Sequence, residues 1–366
     1  MTSDAGYEPN AAALLRRMVE RKASDLHLKA DSPPVLRIDG ELEPQELPPL
    51  SAAAMSAILE EITDDEQRER FDEEKELDFA YLAPGGISRF RVNAALQRGS
   101  VMLAFRLVRE DIPSLEELGL PAICGSLALK RRGLVLVTGP TGCGKSTTLA
   151  AMIGHLNERE RRHIVTIEDP IEYMHHNKRC LISQRELGPD TRSFAGALIH
   201  ALRQDPDVIL VGEMRDLATI AAALTAAETG HLVLATLHTP NAPQTIDRII
   251  DVFPPHQQQQ VRAQLAMALE AVLCQTLVPR ADGPGRVQAM EIMIATSAVR
   301  SLIREGKTHQ LLGVIQTGAQ FGMCTLDQAL AALCRAGVIG LEAALEHSQS
   351  PEEVKGLLSL RGNAAA

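Results

Sequence analysis

Gly139-Pro140-Thr141-Gly142-Cys143-Gly144-Lys145-Ser146 fits G-x-x-x-x-G-K-[ST], a glycine-rich turn that cradles phosphate. Its flanks give the match its weight. Leu134-Val135-Leu136-Val137 precedes it as a short continuous apolar run, the pattern of a strand buried on both faces. Leu149, Met152, Ile153 and Leu156 follow at i, i+3, i+4 and i+7, one face of a helix that starts near Lys145. Strand, turn and helix thus occur in the order phosphate binding needs. Glycines let backbone N–H groups converge on phosphate oxygens, and the helix N-terminus adds partial positive charge. Lys145 is placed to reach the β- and γ-phosphates and the Ser146 hydroxyl to hold Mg²⁺, with Thr147 completing the nucleotide-binding stretch. The ligand implied is ATP.

At 366 residues the chain has length for two domains with separate cores. Hydrophobic residues are 45% but aromatics only 3%, with no Trp, so aliphatic side chains must fill the interior and a helix-rich α/β layering is expected. A net charge of −10 is a poor basis for gripping a nucleic-acid backbone, and no nucleic-acid partner is expected. Cys124, Cys143, Cys180, Cys274, Cys324 and Cys334 form no C-x-x-C pair, which argues against a zinc ribbon or a redox motif. Cys143 could be a thiol activated by the helix end, but a small side chain tolerated in the loop is the preferred reading. No apolar run approaches the ~18 residues that cross a bilayer, so the chain is read as cytosolic, without direct membrane insertion.

Residues 1–109 read as a small α+β domain. Leu14, Leu15, Met18 and Val19 mark an opening helix, and Ser24 to Leu28 alternates as a strand. Val35 to Ile38 with the turn Asp39-Gly40 reads as a hairpin. The acidic run Glu60 to Asp78 is taken as a solvated helix face. Ser88 to Ala94 and Val101 to Val108 read as strands joined around Arg98-Gly99. Arg89, Arg91 and Arg106 lie on them, with Arg89 and Arg91 on one face. They are either solvated surface or guanidinium forks for a γ-phosphate.

Residues 110–121 are expected to be a linker, Leu115 to Leu120 forming a short helix in a hinge. In residues 122–366, Ile164 to Ile167 is a second buried strand that ends in Glu168-Asp169-Pro170-Ile171-Glu172, acids at the ligand edge of a parallel sheet. Glu168 or Glu172 could orient the attacking water. Val208-Ile209-Leu210-Val211 leads into Gly212-Glu213, a Walker B layout in which Glu213 binds Mg²⁺ through water or polarises the nucleophile. Asp216 caps a helix with inner residues Leu217, Ile220, Leu224 and Ala227. His231 and His238 bracket the strand Leu232 to Leu237, and are read as a γ-phosphate sensor and relay. The remaining C-terminal third is expected to be helical, with Gln257 to Gln260 solvated, a helix opening at Ser350-Pro351 and a frayed tail at Arg361 to Ala366.

The blocks Thr166 to Glu172, Val211 to Asp216 and Gly230 to Thr239, together with the phosphate loop, resemble the acidic, Walker B and histidine boxes of the secretion/pilus ATPase superfamily. Ala298-Val299-Arg300-Ser301-Leu302-Ile303-Arg304-Glu305 resembles the A-I-R-N-L-I-R-E motif of type IV pilus retraction (PilT-like) ATPases, with Val299 and Ser301 replacing Ile and Asn. Paired C-x-x-C motifs, usual in assembly and secretion members, are absent from the sequence. The likeness runs from Ser24-Asp25-Leu26-His27 almost to Leu330. It implies a RecA-like P-loop ATPase domain preceded by a smaller PAS-like α+β domain, assembled as a homo-hexamer. It implies ATP hydrolysis with Mg²⁺, Arg91 and Arg106 reaching the nucleotide, and Arg89 undecided. The implied work is pilus disassembly at an inner-membrane platform protein, with paralogous pilus ATPases as further partners. Two rivals share the same core. A nucleic-acid translocase would show DNA-stimulated turnover, and a regulator would bind nucleotide without hydrolysing it.

Overall fold

The opening amphipathic pattern becomes helix α1 (Ala11–Glu20), capped by Asn10, with Ala11, Leu14, Leu15 and Met18 buried. The structure, a computed structural model, describes residues 10–38 and 40–359 and divides after Glu110 into two compact units. In the first, α1 is followed by β1 (Asp25–Lys29), β2 (Val35–Ile38), β3 (Glu41–Pro44), α2 (Ala52–Ile62), α3 (Asp65–Glu74), β4 (Glu76–Leu82), β5 (Arg89–Gln97) and β6 (Ser100–Leu107). The strands form an antiparallel sheet in the order β3-β2-β1-β6-β5-β4. One face carries Leu26, Leu28, Leu36, Phe90, Val92, Leu103 and Phe105 into a core with α1 and α2. The acidic run is a solvated face: α3 buries only Phe71. Arg98 and Gly99, both at positive φ (51° and 80°), make the two-residue turn between β5 and β6. Asp39 of the β2–β3 turn, residues 1–9 and the tail Arg361 to Ala366 lie outside the described residues.

The second unit contains α4 (Ile123–Ala128), β7 (Gly133–Thr138), α5 (Lys145–Arg159), β8 (His163–Glu168), β9 (Leu181–Glu186), α6 (Phe194–Ala201), β10 (Val208–Val211), α7 (Leu217–Glu228) and β11 (Leu232–Leu237). Then come α8 (Ala242–Asp251), α9 (Pro255–Ala268), β12 (Leu269–Pro279), β13 (Arg286–Ile294), α10 (Ser297–Glu305), α11 (Leu311–Thr317), α12 (Leu326–Arg335), α13 (Leu341–Glu346) and α14 (Pro351–Ser359). The sheet order is β13-β12-β7-β11-β10-β8-β9, parallel except for β13. Its continuous apolar runs are explained by burial on both faces. Leu134, Leu136, Val233 and Ala235 enter one core with α6–α11. Val135, Val137, Leu232 and Leu234 enter the other with α4 and α5. This is the three-layer arrangement of a RecA-like domain.

Three local expectations need correction. Leu115 to Gly119 is a turn, closed by Leu120 N–H donating to Leu115 C=O at 2.9 Å. The span is too short to repay helix nucleation. Leu115 and Leu120 are buried with residues of α4 and α5, so this stretch belongs to the core of the second unit. Leu217 is 40% exposed, and Ala223 takes its place on the inner face of α7. The C-terminal third is not all helix, because β12 and β13 form a long antiparallel hairpin there. Alternate residues of β12 feed both cores, Val272 and Cys274 one way and Ala271 and Leu273 the other. No disulfide forms, and Cys124, Cys143, Cys180 and Cys274 are buried.

Candidate functional site

Parallel pairing of β7, β11, β10 and β8 brings the ends of these strands to one edge of the sheet. Thr138, Glu168, Val211 and Leu237 are the last residues of these four strands, so the phosphate loop, acidic segment, Gly212-Glu213 and His238 emerge side by side. In the loop, Gly139, Gly142 and Gly144 have φ of 136°, 78° and 89°, a backbone region glycine enters without steric cost. No side chain caps α5, so its first amides keep the free donors of a helix N-terminus. Pro140, Thr141 and Gly142 are exposed at the loop tip, while Ser146 and Thr147 are half-buried in the first turn of α5.

Lys145 is buried, and its Nζ donates to the carbonyls of Gly139 (2.9 Å) and Pro140 (3.0 Å). Nδ1 of His238 lies 3.4 Å from the same Nζ, and its Nε2 lies 3.0 Å from Glu213 Oε1. An ammonium can only donate and a carboxylate can only accept. The pair therefore selects the neutral tautomer with the proton on Nε2, donating to Glu213. Arg215 Nε also engages Glu213 Oε1, at 2.5 Å. Partial burial pushes the Glu213 carboxyl up, but hydrogen bonds from Arg215 and His238 and the charge of Arg215 outweigh it and hold it below the usual glutamate range. Behind it, Met214 N–H donates to Thr236 C=O (3.1 Å) and the Thr236 hydroxyl donates to Gly212 C=O, which fixes the turn after β10 against β11.

The two acids after β8 differ. Glu168 accepts from the Thr166 hydroxyl (2.7 Å) and the Gln184 amide (3.2 Å), and also from the backbone of Glu172. Burial still pushes its carboxyl up. Glu172 is exposed. Gln184 also donates to Tyr173 C=O (2.9 Å), and the Tyr173 hydroxyl lies 3.0 Å from Thr147 Oγ1, joining the acidic segment to the phosphate loop. Gln184 and Tyr173 went unread in the sequence; Gln184 sits on edge strand β9, whose polar residues mask its period.

His231 is placed elsewhere. Leu232 pairs with Gly133 and Leu237 with Thr138, so His231 precedes β11 while His238 follows it. Six residues at about 3.3 Å each separate them. The His231 Nδ1 lies 3.0 Å from Ala226 C=O and 3.3 Å from Thr229 Oγ1, closing the C-terminal end of α7. The two histidines expected to form a relay are thus not brought together in the chain: the strand that links them also holds them apart. Cys143 is buried, and that burial pushes its thiol up despite Lys145 nearby, the opposite of an activated nucleophile.

In the first unit, Arg91 on β5 pairs in register with Arg106 on β6, which pairs with Asp25 on β1, which pairs with Arg37 on β2. This row lies on the sheet face away from the core. Arg106 Nε donates to Asp25 Oδ1 (2.8 Å). Burial works against the ionised Asp25, but hydrogen bonds from Ser24 and Arg106 prevail and lower its pKa. Arg89 shares the outer face of β5 with Arg91.

Residues 2–309 match the family described as Type II/IV secretion system protein. The chain belongs to that family. As a member it is an ATP-hydrolysing enzyme with a RecA-like ATPase domain and a smaller N-terminal PAS-like α+β domain. It is 50% identical over 339 residues to the type IV pilus retraction ATPase PilT of Pseudomonas aeruginosa, covering 93% of this chain and 98% of that one. It is 50% identical over 321 residues to a twitching motility protein of Neisseria gonorrhoeae (88% and 86%). Against the type IV pilus ATPase PilU of Pseudomonas aeruginosa it is 44% identical over 347 residues (95% and 91%). A crystal structure of the pilus retraction motor PilT with bound ADP superposes with a TM-score of 0.88 at 44% identity, covering 95% of this chain and 99% of that one. The resemblance to retraction ATPases drawn from the motifs is therefore borne out, and this family member binds nucleotide.

The residues present also fit a hard cation. Ser146 and the ionised Glu213 are oxygen donors, and among the described residues no group of three His, Cys, Asp or Glu could hold a metal unaided. Mg²⁺ is commonly held by one or two protein oxygens together with substrate phosphates. No helix among the described residues is long and apolar enough to cross a membrane.

Proposed function

We propose that the chain is the motor of type IV pilus retraction, working as a hexameric ring that turns ATP hydrolysis into pilus disassembly at an inner-membrane platform protein. The observation that carries this reading is the chain of contacts Lys145–His238–Glu213 at the sheet edge, in a sequence half identical to a retraction ATPase along nearly its full length. Amides of Gly142, Gly144 and the first turn of α5 would bind the phosphates, and Lys145 would turn from its loop carbonyls to the β- and γ-oxygens. Ser146 and Glu213 would hold Mg²⁺, which supplies charge neutralisation on the phosphate oxygens. Glu213, kept ionised by Arg215 and His238, and the exposed Glu172 are the groups proposed to orient the attacking water. Glu168 shapes their segment. His238, touching both Lys145 and Glu213, would register the γ-phosphate, and Arg91 and Arg106 are the arginines proposed to meet it.

A second reading is an accessory retraction ATPase, favoured by the identity to PilU and by Val299 and Ser301 in the retraction motif. Deleting the gene separates the two. Excess, immobile surface pili support the motor; pili that still retract support the accessory role; absent pili would overturn both in favour of assembly. Lys145→Ala should abolish turnover by the purified ring.

A further inference from the structure

The phosphate loop is braced from outside as well as by its own hydrogen bonds: strand β12 stands behind it, and Gln275 there touches it. Gln275 is 3% exposed. Its Nε2 donates to Cys143 C=O at 2.7 Å, and its Oε1 accepts from the Thr148 hydroxyl at 3.0 Å and from Gln288 Nε2 at 2.8 Å. A backbone carbonyl can only accept, so the orientation of the amide is determined by its partners. The backbone of Gln275 also abuts the start of the loop, where a Cβ built on Gly139 would meet Gln275 O at 2.3 Å. One residue thus braces the loop at Gly139, Cys143 and, through Thr148, the first turns of α5.

We propose that Gln275 is a positioning residue for phosphate binding, acting by setting the Cys143–Gly144 peptide plane. A trans peptide points its C=O and its N–H to opposite sides. By drawing Cys143 C=O towards β12, Gln275 turns the Gly144 N–H away from β12, as a loop that gathers amides around an anion requires. Gln288, donating from β13, keeps the Gln275 amide from rotating. Without the Nε2 donor, the buried Cys143 carbonyl loses its partner and the peptide can rotate, which removes an amide from the cradle. This inference rests on the reading of 139–147 as the phosphate site.

The test uses two replacements of similar length, Gln275→Met and Gln275→Glu, in the full-length protein. Each lacks the donor, and the second sets an anion against Cys143 C=O. An amide that contacts phosphate equally in ground and transition states affects KM and leaves kcat. Both variants should raise KM for ATP and Kd for ADP by about tenfold or more, Glu above Met, with kcat within about threefold. Gln288→Met, which frees the amide but leaves its donor, should raise KM only about twofold to threefold. Circular dichroism melting confirms which variants are folded, and the two replacements guard against either failing. KM within about twofold of the parent in a folded Gln275→Met or Gln275→Glu, or a fall in kcat at unchanged KM, would overturn the proposal. Lys145→Ala serves as the separate control. If it still binds ADP as the parent does, the phosphate-site reading itself fails; if it does not, a normal Gln275 variant counts against Gln275 alone.

Discussion

Nε2 of His238 lies 3.0 Å from Oε1 of Glu213, so the acid expected to act on water is tied to a side chain that also faces the loop lysine. His238→Ala removes a hydrogen bond to a charged group and should lower kcat by about tenfold to a hundredfold. His231→Ala acts at the far end of β11, and should cost about 1 kcal/mol of stability through the lost contact with α7 while leaving kcat within about threefold. Steady-state ATPase and thermal melts on both variants check this, and equal loss of kcat in the two would return His231 to the chemistry.

Glu168 and Glu172 should separate by phenotype. Glu168→Gln places an amide donor among groups that already donate, so the expected effect is a loss of about 1–3 kcal/mol in stability. Glu172→Gln is exposed and should melt like the parent, with kcat down by about a hundredfold if it positions water. A Glu168→Gln protein that melts normally but is inactive, beside an active Glu172→Gln, would exchange their roles.

Glycines of the loop should rank by what surrounds them. At Gly139 a Cβ would meet Gln275 O at 2.3 Å and Cys143 Sγ at 2.8 Å, whereas at Gly142 nothing lies within 4 Å. Gly139→Ala should therefore abolish measurable ADP binding by forcing the loop off β12. Gly142→Ala meets only the strain of positive φ, about 1 kcal/mol, and should weaken binding about fivefold. Calorimetric titration with ADP orders the two.

Stability should depend on pH through Glu291, a fully buried carboxyl on β13. Its Oε1 accepts from Ala242 N–H at 2.7 Å, at the start of the helix that follows His238. Burial pushes its pKa up, against hydrogen bonds from the Ala242 and Leu326 amides. With the folded value above the unfolded one, the native state holds more protons in that window. Its stabilisation is complete below the ordinary glutamate value of about 4.3 and is lost as pH rises through the folded value. Glu291→Gln removes this titration. The Tm of the variant minus that of the parent should therefore become more positive as pH rises above about 4.3. The chain has no Trp, so circular dichroism is the suitable readout. A difference that is flat or falling with pH contradicts the assignment.

The nucleotide-binding half of the sheet was legible in the sequence for a physical reason. Strands buried on both faces, such as Leu134 to Val137 and Val208 to Val211, cannot alternate with polar residues, and each ends in a residue with chemistry. β9 was not legible, since Leu181-Ile182-Ser183-Gln184-Arg185-Glu186 is an edge strand with mixed burial. β12 escaped because an apolar run directly after helix α9 reads as more helix. In the site, Lys145 and Glu213 announce themselves by local spacing. The contacts of Gln275 with Cys143 and of Tyr173 with Thr147 join positions far apart in sequence, and no local pattern records them. The histidine pair failed in the opposite way: closeness in sequence concealed that a strand between two residues is a spacer.

That spacer leaves the second unit with a rim remote from its chemistry. The turns entering β8, β10 and β11 gather there, with Arg161, Asp205 and Thr229 all exposed. Native thiols at Cys124, Cys143, Cys180 and Cys274 are shielded and those at Cys324 and Cys334 half-buried, so with the latter two replaced a cysteine installed at Arg161 is labelled in preference to the rest. A fluorophore or tether on that side offers a handle for watching ATP turnover while the hydrolytic edge is left untouched.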